Sequence, residues 1–106
     1  MKNLILILLI CFSFSENIEL TITSDSKVEI YSALFWAPCK EAKSLLRSRG
    51  IEFESKMITF SRGTYKEMVK RTGGKQSVPQ ILVDGQYFGD LNSLKTYFNN
   101  SVKTKE

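Results

Sequence analysis

Hydrophobic and polar positions alternate in recognisable periods from residue 28 onward, and the periods change where turn residues stand. Val28 to Tyr31 reads as a short strand. A helix follows, with Pro38 suited to its first turn because that position needs no amide partner. Cys39, Ala42 and Leu46 fall on one face of this helix with Leu45 beside them, and Gly50 stands where a C-terminal cap belongs. Ile51 to Ile58 predicts a second strand, after which Thr64 and Glu67 have the spacing of a capping box at the head of a helix running through Val69 to Thr72. Gly73-Gly74 ends that helix. Gln80–Val83 and Gln86–Gly89 flank Asp84-Gly85, a strong hairpin signal, and Leu91 to Phe98 predicts a last helix with Asn92 or Ser93 as its cap. The predicted order is β-α-β-α-β-β-α. Strands joined through a helix run parallel and hairpin strands run antiparallel, so the expected fold is α/β, a four-stranded mixed sheet with three helices packed on both sides.

The first fifteen residues are of another kind. Met1-Lys2-Asn3 is short and positive, Leu4 to Phe12 is an unbroken apolar run, and Ser13-Phe14-Ser15 offers small residues for cleavage before Glu16. That is the grammar of a signal peptide. The run is shorter than the ~20 residues that span a bilayer, and the alternatives are an uncleaved anchor or a buried apolar element. Residues 16–27 read as a polar linker, although Ile18, Leu20 and Ile22 alternate as an extra edge strand would. The domain proper is expected over residues 28–100, followed by a polar tail at 101–106.

Composition narrows the functions available. A chain of 106 residues holds one domain, and 42% hydrophobic with 25% charged residues is ordinary globular usage. The net charge of +4 is too mild for a nucleic-acid partner. Lys66, Lys70, Arg71 and Lys75 interleave with Glu67 as a solvated helix face does, or as an anion site would. Two cysteines are present, of which Cys11 lies in the apolar run, and there is no histidine. Cleavage would leave Cys39 alone, so a protein-only zinc site of the usual type is not expected.

From Val28 to about Asn99 the chain resembles glutaredoxin, a member of the thioredoxin-fold superfamily. The resemblance rests on Val28-Glu29-Ile30-Tyr31, Ala42-Lys43, Leu45-Leu46, Gly50-Ile51-Glu52-Phe53, Met68, Lys70-Arg71-Thr72-Gly73-Gly74, Val78-Pro79-Gln80-Ile81 and Asp84-Gly85 in their order. It implies a thioredoxin-like fold and places the family's Cys-Pro-aromatic-Cys motif on Trp36-Ala37-Pro38-Cys39. Trp36 then occupies the position of the attacking thiol, and Cys39 matches the resolving cysteine. A thioredoxin-like register through Phe35-Trp36-Ala37 and Pro38-Cys39-Lys40 also makes Cys39 the second cysteine. A third arrangement makes Pro38 the first helical residue and puts Cys39 next, where the helix dipole would favour its thiolate. Against these stands the plain reading of Cys39 as core filler beside Ala42 and Leu46, and of Trp36 as a packing or surface aromatic.

The resemblance further implies a cis bond at Val78-Pro79, with the Val78 backbone offered to an extended peptide or to glutathione, and Trp36 as a platform at the groove mouth. The glutathione site looks damaged. Ala33 stands where the family often has a lysine, and Gly89-Asp90-Leu91-Asn92-Ser93 replaces a Gly-Gly-x-Asp-Asp run; Gly89 and Asn92 remain as candidate groove residues, and Lys75 is a candidate substitute cation. An iron-sulfur cluster is disfavoured because the missing first cysteine would ligate it. The expected protein is an exported or membrane-anchored glutaredoxin-like thiol protein with weakened or lost dithiol oxidoreductase activity and a retained peptide or thiol groove. One alternative is a monothiol oxidoreductase using Cys39 with glutathione as co-substrate; another is a structural or partner-docking domain. No bound cofactor is expected, the partner being a thiol peptide, a thiol protein or glutathione. A monomer touching membrane only through its N-terminal segment completes the expectation, with a cytoplasmic location as the alternative.

Overall fold

The structure is a computed structural model that describes residues 20–105, with side chains to residue 100. The targeting segment expected at 1–15 and the start of the linker lie outside the described residues. The elements are β1 (Val28–Ser32), α1 (Ala37–Ser48), β2 (Glu54–Met57), α2 (Arg62–Arg71), β3 (Gln80–Val83), β4 (Gln86–Gly89) and α3 (Leu91–Lys105), in the predicted order. The sheet order is β2-β1-β3-β4, with β1 parallel to β2 and antiparallel to β3, and β3 antiparallel to β4.

Period-two alternation divides the core. Val28 and Ile30 of β1 join Ile81 and Val83 of β3 beneath α1 and α3, meeting Ala42, Leu46, Leu94 and Phe98. Tyr31 and Leu82 point the opposite way and meet Met68 of α2. The two central strands are therefore buried on both faces, which is why every residue of β1 and β3 is covered. Glu29 is one of them, at 2% exposure. Its carboxylate takes a bidentate grip from Arg71, with both contacts at 2.9 Å, and Lys56 lies 3.0 Å away. Arg71 also donates to the Tyr31 hydroxyl at 2.7 Å, and that hydroxyl donates to Glu67. These partners hold the Glu29 carboxyl down at about 2, the Arg71 hydrogen bonds contributing most.

Several boundaries differ from the sequence reading. β2 is confined to Glu54–Met57 because the Ile51 amide still bonds the Leu46 carbonyl at 2.9 Å, holding Ile51 in the turn that closes α1. The cap of α2 is Ser61, not Thr64: Ser61 Oγ accepts the Thr64 amide at 3.1 Å, and Glu67 is engaged by Tyr31 and Lys56 instead of reaching back. The α3 helix begins under Asp90 rather than Asn92 or Ser93, and it extends to Lys105. Residues 20–27 form no strand. Ile22 nevertheless packs against the core, and its amide donates to the Tyr97 hydroxyl at 3.0 Å.

Candidate functional site

The site lies where the β1–α1 turn, the loop before β3 and the start of α3 converge. Trp36 is the N-cap of α1, in extended backbone, and Ala37 is its first helical residue. The Trp36 carbonyl accepts the Cys39 amide at 3.1 Å and the Lys40 amide at 3.3 Å. The helix thus starts one residue before Pro38, and Cys39 sits at the third helical position rather than the second. There it faces inward with Ala42 and Leu46, at 2% exposure. Burial pushes the Cys39 thiol above its ordinary value, a shift only partly opposed by a hydrogen bond from the Ala33 backbone and by the Lys43 charge. A thiol so placed is mostly protonated at neutral pH, and a protonated thiol is a poor nucleophile.

The proline loop is built from both ends. Thr72 caps the end of α2, its Oγ1 donating to the Met68 carbonyl at 2.8 Å and accepting the Lys75 amide at 3.0 Å. Beyond the loop, the buried Gln80 side chain donates to the Ser77 carbonyl at 3.0 Å and accepts from the Tyr87 hydroxyl at 2.6 Å. Between these anchors the Val78–Pro79 peptide bond is cis. The Val78 carbonyl is already engaged: the Trp36 indole Nε1–H donates to it at 3.1 Å. Trp36 remains 51% exposed while making this bond, so its ring leans across the proline loop without being buried by it.

On the far side, Asp90 closes the start of α3. Its Oδ1 accepts from the Ser93 amide at 3.1 Å and from Ser93 Oγ at 3.2 Å, while its carbonyl takes the Leu94 amide at 3.0 Å. A carboxylate from the chain itself therefore occupies the helix N-terminus, where an external anion would otherwise be attracted. Gly89 lies against the same turn. Its φ is +150°, and a Cβ placed there would come within 2.3 Å of Ser93 Oγ.

A cleft of about 290 Å³ runs among these parts, lined by Pro38, Ser77, Val78, Pro79, Asp90 and Asn92 with Leu91. Of the residues expected at the groove, Val78, Pro79 and Asn92 line it. Trp36 reaches it only through its bond to Val78, while Gly89 and Cys39 are not in its wall. Pro38 is what α1 presents to the cleft, while Cys39 is buried on the face that carries Ala42 and Leu46. Lys75 is exposed on the loop leading in. Reasoning from the sequence places Asp90 as an anion beside the groove but misses it as the cap of α3, and it misses Gln80 and Tyr87 as residues that shape the cleft. Asp90 had a signal, an aspartate directly before an apolar helical run; the Gln80–Tyr87 bond had none, since it spans the hairpin.

A thioredoxin-like sheet, a lone thiol in the first turn of α1 and a proline loop beside it define a protein of the thiol-disulfide oxidoreductase class. The glutaredoxin family profile matches residues 28–88, and the chain belongs to that family. It is 38% identical over 69 residues to glutaredoxin 3 of Escherichia coli strain K12, an alignment covering 65% of this chain and 82% of the relative. The solution structure of a glutaredoxin from Brucella melitensis superposes with a TM-score of 0.63 at 26% identity, covering 76% of this chain and 86% of the other. The buckwheat glutaredoxin–glutathione complex gives a TM-score of 0.64 at 15% identity, covering 74% and 73% of the two chains, and supports the fold alone.

Proposed function

We propose that this chain is a glutaredoxin-family domain whose dithiol exchange activity is lost and whose proline-loop cleft serves as a binding site for an extended peptide or a small thiol. The observation that carries the reading is Cys39, 2% exposed among the buried residues of α1, where burial favours the protonated thiol. No second thiol exists among the described residues to take the attacking role, and Trp36 stands three positions earlier at the exposed helix start. Glutathione is a weak ligand in this reading. The Trp36 indole competes for the Val78 carbonyl, and Asp90 fills the anion position at α3 while adding negative charge beside the cleft. Export, or retention on a membrane by residues 1–15, belongs to the same proposal and rests on the composition of that segment.

The test is the intact mass of the protein carrying Cys11→Ser, so that Cys39 is its one thiol, after incubation with oxidised glutathione over a pH series, beside the variant that also has Cys39→Ser. The expected result is no adduct at neutral pH without denaturant and one adduct per chain once it is unfolded. Rapid single glutathionylation of the native protein below neutral pH would sink the reading and establish a monothiol oxidoreductase.

A further inference from the structure

Two loops at one end of the sheet carry aromatic side chains that the fold does not use. Parallel pairing of β1 and β2 places the segments that follow them side by side, and the Leu34 amide donates to Thr59 Oγ1 at 2.8 Å between the two loops. Phe35 and Phe60 are each 84% exposed, and Leu34 and Trp36 beside Phe35 are exposed as well. Phe35 has a φ of 59°, a left-handed conformation uncommon for a bulky aromatic. The backbone thus bears a local cost to hold a ring that stays 84% exposed.

The charges left unpaired beside these rings are positive, since Glu41 and Glu67, the next acidic residues along the chain, pair with Lys95 and with Lys56 and Arg71. Lys40, Arg62 and Lys66 are exposed and enter no ion pair among the described residues. Residues 33–40 and 58–66 contain no aspartate or glutamate. Both α1 and α2 begin here, so the positive ends of two helix dipoles add to the same field.

We infer that this end of the domain docks on an anionic lipid surface, with Phe35 and Phe60 entering the interfacial layer and Lys40, Arg62 and Lys66 meeting the headgroups. Phe60, Arg62 and Lys66 also border an open cleft of about 650 Å³ beside Ile58 and Tyr65, yet both rings stand 84% exposed amid unpaired cations, the combination of apolar anchor and positive charge that an anionic interface takes up. Membrane contact is then not confined to the N-terminal segment. The inference is independent of Cys39 and of any thiol chemistry.

Trp36, the single tryptophan of the chain, adjoins Phe35 and reports on this patch. The full chain is mixed with phosphatidylcholine vesicles with and without phosphatidylglycerol. Anionic vesicles should move Trp36 emission to shorter wavelength, acyl-brominated lipid should quench it, and high salt should reverse both. Arg62→Ser should weaken the partitioning read by this shift about fivefold, as expected for one cation at an anionic surface. The double variant Phe35→Ser with Phe60→Ser, both sites lying outside the core, should lose the shift altogether. Vesicles that bind the chain while Trp36 emission stays unchanged would overturn the inference, because attachment would then come from residues 4–12. A shift produced by an acidic, leucine-rich peptide but not by anionic vesicles would overturn it in favour of a protein partner.

Discussion

Trp36 is the residue at which this chain departs most sharply from an exchange enzyme, and its position also shows how little separates the two. It is the N-cap of α1, half-exposed, at the positive end of the helix. A thiol there would be acidified by the dipole and by unpaired amides. Trp36→Cys would place that thiol three residues before Cys39, and the Val78 carbonyl would lose its indole donor. On the proposed loss of exchange activity, the variant should gain disulfide-reductase turnover over the parent, measured with a mixed disulfide of glutathione, and Trp36→Ser should not. Cys39 itself was placed on the core-facing stripe by its spacing with Ala42 and Leu46, and the structure agrees. Its depth was not legible, because exposure of a residue in a first turn depends on where the helix begins, and Ala37 rather than Pro38 begins it.

Among the elements, β1 and α2 are joined by charge as well as by apolar packing. Glu29 sits in the central strand with Arg71 and Lys56 on its carboxylate. Breaking one side of a covered ion pair strands the other, so Glu29→Gln should lower the unfolding free energy by about 3 kcal/mol in urea titrations at neutral pH. At the other edge, β4 passes into α3 through Gly89, where a side chain would meet both the Ser93 hydroxyl and an unfavourable φ. Gly89→Ala should destabilise the fold by about 2 kcal/mol. Ser93→Gly should recover only the steric part. Element types and order were readable from periodicity and Gly50 was readable as the residue that closes α1, yet the N-terminal caps of α2 and α3 were not. Thr64 and Glu67 had capping-box spacing, but Glu67 finds stronger partners in Tyr31 and Lys56, which lie far away in sequence.

Across the whole molecule, titration should limit stability at both ends of the pH scale. Glu29 is held at about 2 in the fold against 4.5 when free, so its contribution is complete above about pH 4.5 and is lost as pH falls toward 2. The shift corresponds to about 3 kcal/mol. Cys39, Tyr31 and Tyr87 are all raised, chiefly by burial, so the fold keeps protons that the unfolded chain has released and stability declines as pH climbs past 9 to 10. Urea midpoints should therefore form a plateau between about pH 5 and 9. Glu29→Gln should flatten the acid limb and Cys39→Ala should shallow the alkaline one. An alkaline limb unchanged by Cys39→Ala would mean that the thiol is not buried as described. By itself the sequence determined the element order, the mixed sheet and the family, because these follow from local periodicity, turn residues and identity at fixed spacing. Only the tertiary structure decided that Cys39 is buried and absent from the cleft lining, that Trp36 bonds the Val78 carbonyl, that Asp90 fills the head of α3, and that Phe35 and Phe60 share one exposed end. Each of those depends on which distant segments the fold brings together, and no period in the chain encodes that.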